Sequence, residues 1–190
     1  MDTLTDTALI RALPTAIAGV IVVESKVFTD ERGSFMTAYG AREMRALGID
    51  PTLAECHIVR NARARTLRGM HFQTGRSVQP KLVRCLGGAI YDVAIDLRPD
   101  SPTVRRWVGV ELGAGDGRAL YVPAGCAHGY LTLRDDTEIL YLVGAAYDPG
   151  RASGVRWNDP AFGIEWPAEP LLIAERDRTY PDYQSIAWDA

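Results

Sequence analysis

The chain has three histidines, His57, His71 and His128, and imidazole is the side chain best suited to take and return a proton near neutral pH. Two of them lie in segments that also hold glycine, arginine or aromatic residues: Leu67-Arg68-Gly69-Met70-His71-Phe72-Gln73 and Pro123-Ala124-Gly125-Cys126-Ala127-His128-Gly129. Arg60, Arg63 and Arg65 precede the first, which sets fixed positive charge beside a titratable ring and suits an anionic substrate. A diphosphate presents more charge than one side chain can neutralise, so two or three basic groups are expected around it. For Arg63 and Arg65 a solvated arginine face is an equal reading. Taken alone, His71 on a strand is more often a hydrogen-bonded structural residue than a base, and the arginines are what change that. Gly69 allows close backbone approach or a bend. No bound metal is expected, because such sites need two closely spaced histidines, a carboxylate and a further histidine, and His71-Phe72-Gln73 with His128 falls short of that set. Cys56, Cys85 and Cys126 are odd in number and lack C-x-x-C spacing, which suits reduced, mostly buried thiols.

The elements that must hold these residues read as strands. Short β-branched and apolar runs at 19–27, 81–86, 89–97, 105–112, 119–122, 129–133 and 138–143 alternate with turn chemistry such as Gly87-Gly88, Arg98-Pro99-Asp100-Ser101-Pro102 and Pro123-Ala124-Gly125. This is the rhythm of an all-β barrel or sandwich. In the run 89–97, Asp92 and Asp96 share a face with Ile90 and Ala94, as expected of a barrel interior that holds a polar ligand. Helix is scarce: Ala41, Met44 and Leu47 recur at i, i+3, i+6, with Gly48 as a C-terminal cap. The stretch from Pro160, rich in proline and aromatics, is expected to lie as an ordered tail over the barrel. One domain over residues 1–190 is the economical organisation.

Composition narrows the classes further. The chain has 190 residues, 47% hydrophobic and 24% charged, with a formal net charge of −3. No global basic field points to nucleic acid or an anionic membrane, so anion recognition must be local. The apolar run 16–23 is broken by Gly19 and is far short of the roughly 20 residues of a membrane helix. Asp2 and Asp6 stand where a secretory signal places Lys or Arg, and the expected location is the cytoplasm.

The ordered motifs resemble one family, the dTDP-4-dehydrorhamnose 3,5-epimerases, sugar-nucleotide epimerases of the cupin superfamily. The resemblance runs from Val27-Phe28-Thr29-Asp30-Glu31-Arg32-Gly33-Ser34-Phe35 through the His71 segment, Lys81-Leu82-Val83-Arg84-Cys85, Asp92-Val93-Ala94-Ile95-Asp96-Leu97-Arg98 and Ser101-Pro102-Thr103. It continues with the His128 segment, Leu140-Tyr141, Trp157-Asn158-Asp159-Pro160 and Gly163-Ile164-Glu165-Trp166-Pro167. It implies an all-β, cupin-type jelly-roll barrel with short peripheral helices, without metal or other cofactor. It also implies a homodimer in which an N-terminal segment, residues 1–40, is exchanged to help form the partner's nucleotide site. Position by position, it places the general base on His71 and its carboxylate partner on Asp177, the enolate-stabilising cation on Lys81, and the acid of the opposite ring face on Tyr141. His128 and Asp92 match polar residues beside the sugar, Arg32 and Arg68 match diphosphate-binding positions, and Gln73, Glu55 and His57 complete the expected substrate-binding set. Tyr147 receives no role.

Several positions depart from the family, and they gather where the nucleotide is expected. Thr37 and Ser34 stand in place of a glutamate and an aromatic, and Glu55 and His57 in place of glutamine and asparagine. Leu142 replaces a lysine, and Ala152 or Ser153 replaces a glutamate. The expectation is an epimerase acting at C3, C5 or both of a nucleotide-linked 4-keto-6-deoxyhexose, with the nucleotide and the inverted carbon left open. Two other readings compete: a 3,4-ketoisomerase, which also begins with enolisation but moves the carbonyl, and a barrel that binds sugar nucleotides without turnover. Tyr141 opposite His71 argues for inversion, since isomerisation can return the proton on the same side.

Overall fold

The structure, a computed structural model, describes residues 9–184 and 186; residues 1–8 of the N-terminal segment expected to be exchanged lie outside the described residues. The chain runs through β1 (Ile10–Pro14), β2 (Ile21–Ser25), a hairpin of β3 (Phe28–Asp30) and β4 (Gly33–Phe35), helix α1 (Ala41–Ala46), β5 (Glu55–Asn61) and β6 (Thr66–Gln73). There follow β7 (Lys81–Gly87), β8 (Ala89–Asp96), β9 (Trp107–Gly113), β10 (Arg118–Val122), β11 (Cys126–Thr132) and β12 (Thr137–Val143). Two short strands, β13 (Ala152–Gly154) and β14 (Leu172–Ile173), and helix α2 (Glu175–Arg178) complete it. The first sheet has the order β1-β2-β10-β7-β12-β5, and the second β13-β6-β11-β8-β9, with β14 laid parallel on β6. Among the described residues no ladder joins the two sheets, so they pack face to face through their side chains and do not form the closed barrel expected.

Strand alternation assigns the layers. Val83, Cys85, Leu120, Val122 and Ile139 from the first sheet meet Ile90, Ala94, Leu112, Cys126 and Tyr130 from the second. On the outer side of the first sheet, Val23, Leu82 and Ala119 pack under Met44 of α1 and Ile49. The outer side of the second is covered by Val155 and Phe162, with Ile164, Trp166, Tyr183 and Ile186 against them, so the tail after Pro160 does lie over the sheet. The helix expected at 41–47 forms over Ala41–Ala46, and Gly48, at φ +72°, ends it with its N–H on the Arg45 carbonyl. Among the described residues no helix is long and apolar enough to cross a membrane.

The two aspartates of β8 part company. Asp92 is fully buried and accepts a hydrogen bond from His128. Asp96, at the strand's end, takes bonds from Arg98, Ser101 and Thr103 and organises the turn that follows, so it offers nothing to a ligand. These bonds outweigh the cost of burial and hold its carboxyl down at about 2.

Gly69 answers the close approach its sequence context suggested. At φ +135°, it lies so near β11 that an added Cβ would sit 2.5 Å from the Gly129 Cα. The ladder between β6 and β11 shifts register at this point, between His128 and Tyr130. Two glycines face to face therefore bring the strands that carry His71 and His128 into contact.

Candidate active site

Between the sheets lies a cavity of about 910 Å³. His71 and His128 are cross-strand partners on β6 and β11 and present one wall. Lys81 of β7 and Tyr141 of β12 present the other, because Ile139, Tyr141 and Val143 alternate inward along β12 while Leu140 and Leu142 alternate away.

His71 Nε2 lies 2.7 Å from Asp177 Oδ1, across 106 residues of sequence. A carboxylate only accepts, so the proton of this contact belongs to Nε2 and the lone pair is left on Nδ1. Asp177 is itself fixed, its Oδ2 accepting the Gly69 N–H at 3.1 Å. It comes from α2, which β14 carries into place by pairing with β6. Burial lowers the His71 pKa more than the Asp177 carboxylate raises it, so the ring is a neutral base at pH 7. Asp177 stays below the usual carboxylate range: burial opposes ionisation, but the bond from His71, its charge and the Gly69 N–H together prevail.

Lys81 donates to the His71 carbonyl at 3.3 Å, which holds its ammonium beside the base. Desolvation brings its pKa down to about 8, partly offset by Asp92. The Tyr141 ring meets His128 edge-on at 5.6 Å between centroids. Burial, reinforced by the neighbouring Tyr130 and Asp92, pushes its phenol well above the ordinary value, so it keeps its proton over the whole neutral range. His128 thus stands between base and phenol, its Nε2 2.7 Å from Asp92 Oδ1 with both side chains buried, while Asp92 Oδ2 has no partner among the described residues. A base backed by a carboxylate, a cation beside it and a protonated phenol across the cavity can remove a proton from one face of a bound carbon acid and deliver one to the other. Among the described residues, no three His, Cys, Asp or Glu side chains converge as metal ligands.

The family model for dTDP-4-dehydrorhamnose 3,5-epimerase matches residues 14–185. The chain belongs to this family. A curated dTDP-4-dehydrorhamnose 3,5-epimerase of Salmonella typhimurium is 43% identical over 171 residues, covering 89% of this chain and 93% of its own. Among solved structures, the Bacillus anthracis dTDP-4-dehydrorhamnose 3,5-epimerase with TDP and PPi bound superposes with a TM-score of 0.88 at 37% identity, covering 92% of this chain and 99% of that one. ChmJ, a 3′-monoepimerase from Streptomyces bikiniensis in complex with dTDP-quinovose, superposes at 0.82 with 34% identity, over 89% of this chain and 86% of that one.

Within this epimerase architecture the remaining expected residues are unevenly placed. Arg68 lines the cavity and donates to Asn61 Oδ1 at 2.9 Å. Gln73 also lines it, but its amide is spent on the chain: it donates to the Ser77 and Ala146 carbonyls and accepts the Asp148 N–H, cross-linking two loops. These bonds fix the side chain at the cavity wall. His57 borders the cavity and contacts Glu55 at 3.0 Å, while Glu55 stands behind it, accepting the Tyr147 N–H as well. Arg32 is not brought to this cavity: it sits on the β3–β4 hairpin, exposed and paired with Asp30. Of the departures from the family, Leu142 packs outward on the first sheet, whereas Ala152 and Ser153 border the cavity. Four residues escaped the sequence reading. Arg176 and Tyr180 flank His71 and Asp177, with the guanidinium 5.9 Å from the Tyr180 ring centre, and Asn61 and Tyr130 lie behind Tyr141. Arg176 adjoins Asp177 in sequence, which was its one available signal.

Proposed function

We propose that the chain inverts C3, C5 or both of a dTDP-linked 4-keto-6-deoxyhexose in deoxysugar biosynthesis. The observation that carries this is the His71–Asp177 pair on one wall of the cavity and the protonated Tyr141 on the other. His71 Nδ1 takes the proton from the carbon beside the C4 ketone. The C–H electron pair becomes an enolate whose oxygen is met by the Lys81 ammonium, a contact whose removal costs about 10² to 10³ in rate in comparable oxyanion sites. The enolate carbon then takes the Tyr141 proton on its other face and the carbonyl re-forms. His71 gives its proton up and Tyr141 regains one through solvent, which balances the cycle.

Arg68 and Arg176, both at the cavity, are suited to the diphosphate. Arg32 joins them from a second copy of the chain, in a homodimer where the β3–β4 hairpin crosses to the partner. The hairpin's Phe28 and Phe35 are 44% and 69% exposed, which suits a surface covered by another copy. The cysteines are all unpaired, two of them buried, as fits a reducing cytoplasm.

Incubation with dTDP-4-keto-6-deoxyglucose in deuterated water tests the reading. Loss of both the C3 and C5 proton signals, with inversion at both, is the result expected of a 3,5-epimerase; loss and inversion at one marks a mono-epimerase. Movement of the carbonyl, or no exchange in folded protein, would overturn it.

A further inference from the structure

Tyr130 is fully buried on β11, and the chemistry just described makes no use of it. Its ring stands 6.4 Å from that of Tyr141, tilted by 44°. Its hydroxyl donates to Asn61 Oδ1 at 3.2 Å. That amide oxygen also accepts Arg68 Nε at 2.9 Å, while the Asn61 NH2 donates to the Thr137 carbonyl at 3.4 Å, so the orientation of the amide is set from both ends. A chain of side chains thus leads from Arg68 at the cavity, through Asn61 and Tyr130, to Tyr141.

The directions of the donors matter. With its own proton committed to Asn61, the Tyr130 oxygen is free to accept from the Tyr141 hydroxyl, and the mutual effects of the two phenols on their acidities have that sense. Once Tyr141 has delivered its proton, a buried phenolate is left, which needs a donor. Tyr130 supplies one by turning its O–H from Asn61 to Tyr141. The turn strands no polar atom, because Asn61 Oδ1 keeps Arg68.

Resting on the assignment of Tyr141 as the acid, we infer that Tyr130 is its positioning residue, a hydroxyl switch that accepts from the phenol before proton delivery and donates to the phenolate after it. Asn61 holds the switch in its resting direction. No covalent bond changes in this step, and the proton transferred to the substrate is that of Tyr141 alone.

The readout is the ratio of solvent deuterium exchange to inversion, measured on dTDP-4-keto-6-deoxyglucose in deuterated water. In Tyr130→Phe, removal of the proton by His71 should continue at close to the normal rate while inversion falls at least tenfold, so the ratio rises. A purely structural role would lower both together and leave the ratio unchanged, and that result overturns the inference. Tyr141→Phe is the control for the underlying reading. If it retains inversion, the assignment of the acid fails. If it loses inversion while Tyr130→Phe keeps the normal ratio, only the switch fails. Should Tyr130→Phe not fold, Asn61→Asp reads the same chain: a carboxylate holds the Tyr130 proton more strongly than an amide and should raise the ratio in the same direction. An unchanged ratio in Asn61→Asp overturns the inference equally.

Discussion

At the scale of single residues, the site separates three groups by their surroundings. His71 is pushed below its ordinary value by burial and Lys81 down to about 8, while the Tyr141 phenol is held far above neutrality. The proposed mechanism needs His71 neutral, Lys81 charged and Tyr141 protonated. Activity is therefore lost as pH falls through the lowered His71 value, beneath 6.5, and lost again as pH rises through about 8, where Lys81 gives up its charge. The kcat/KM profile should be a bell with its alkaline limb near 8. Lys81→Met should cut the rate by about 10² to 10³ and remove that limb from the residual activity. An alkaline limb unmoved in the variant would assign it to another group. His71 was legible because three histidines leave few candidates and arginines crowd one of them. Asp177 was not: nothing local links a carboxylate to a ring 106 residues away, and only the family resemblance named it. Tyr130 was hidden inside an apolar run, where a tyrosine reads as core.

At the scale of elements, two facing glycines control how the base is delivered. In Gly69→Ala the new Cβ meets the Gly129 Cα at 2.5 Å on a backbone at φ +135°, so β6 must move away from β11. Overpacking and strain of this kind cost about 1–3 kcal/mol each. The displaced strand also carries the Gly69 N–H that fixes Asp177. The variant should melt several degrees lower and, assayed cold where it remains folded, lose activity more than affinity for TDP; an unchanged melting temperature would refute the account. The strands that sequence revealed, β2 and β7 to β12, are those whose apolar residues face the core between the sheets. β5 was missed because it is an edge strand whose residues are largely exposed, with Glu55, His57 and Arg60 on it, and edges are kept charged against unwanted pairing. β14, of two residues, carries no pattern of its own, yet it is what sets α2 and Asp177 beneath His71.

At the scale of the whole molecule, the cavity contains His71, Lys81 and Tyr141 but not Arg32, which its hairpin holds outward. If a second copy supplies that arginine, the two functions are separable between subunits. Arg32→Ala should weaken substrate binding, and Lys81→Met should slow turnover by about 10² to 10³, so each homodimer is poorly active for a different reason. In a heterodimer of the two variants, the site with an intact Lys81 receives the hairpin of the Lys81→Met subunit, whose Arg32 is intact, while the other site has neither group. Random reassortment makes half of the dimers mixed, each with one working site of two, so activity per subunit should recover to about one quarter of that of the unaltered enzyme. Unfolding and refolding the two variants together, with each refolded alone as control, measures this directly. Without recovery, Arg32 serves its own protomer or none, and the hairpin's exposed phenylalanines need another explanation. Recovery would show that the diphosphate is gripped across the subunit boundary while the carbon chemistry stays within one chain.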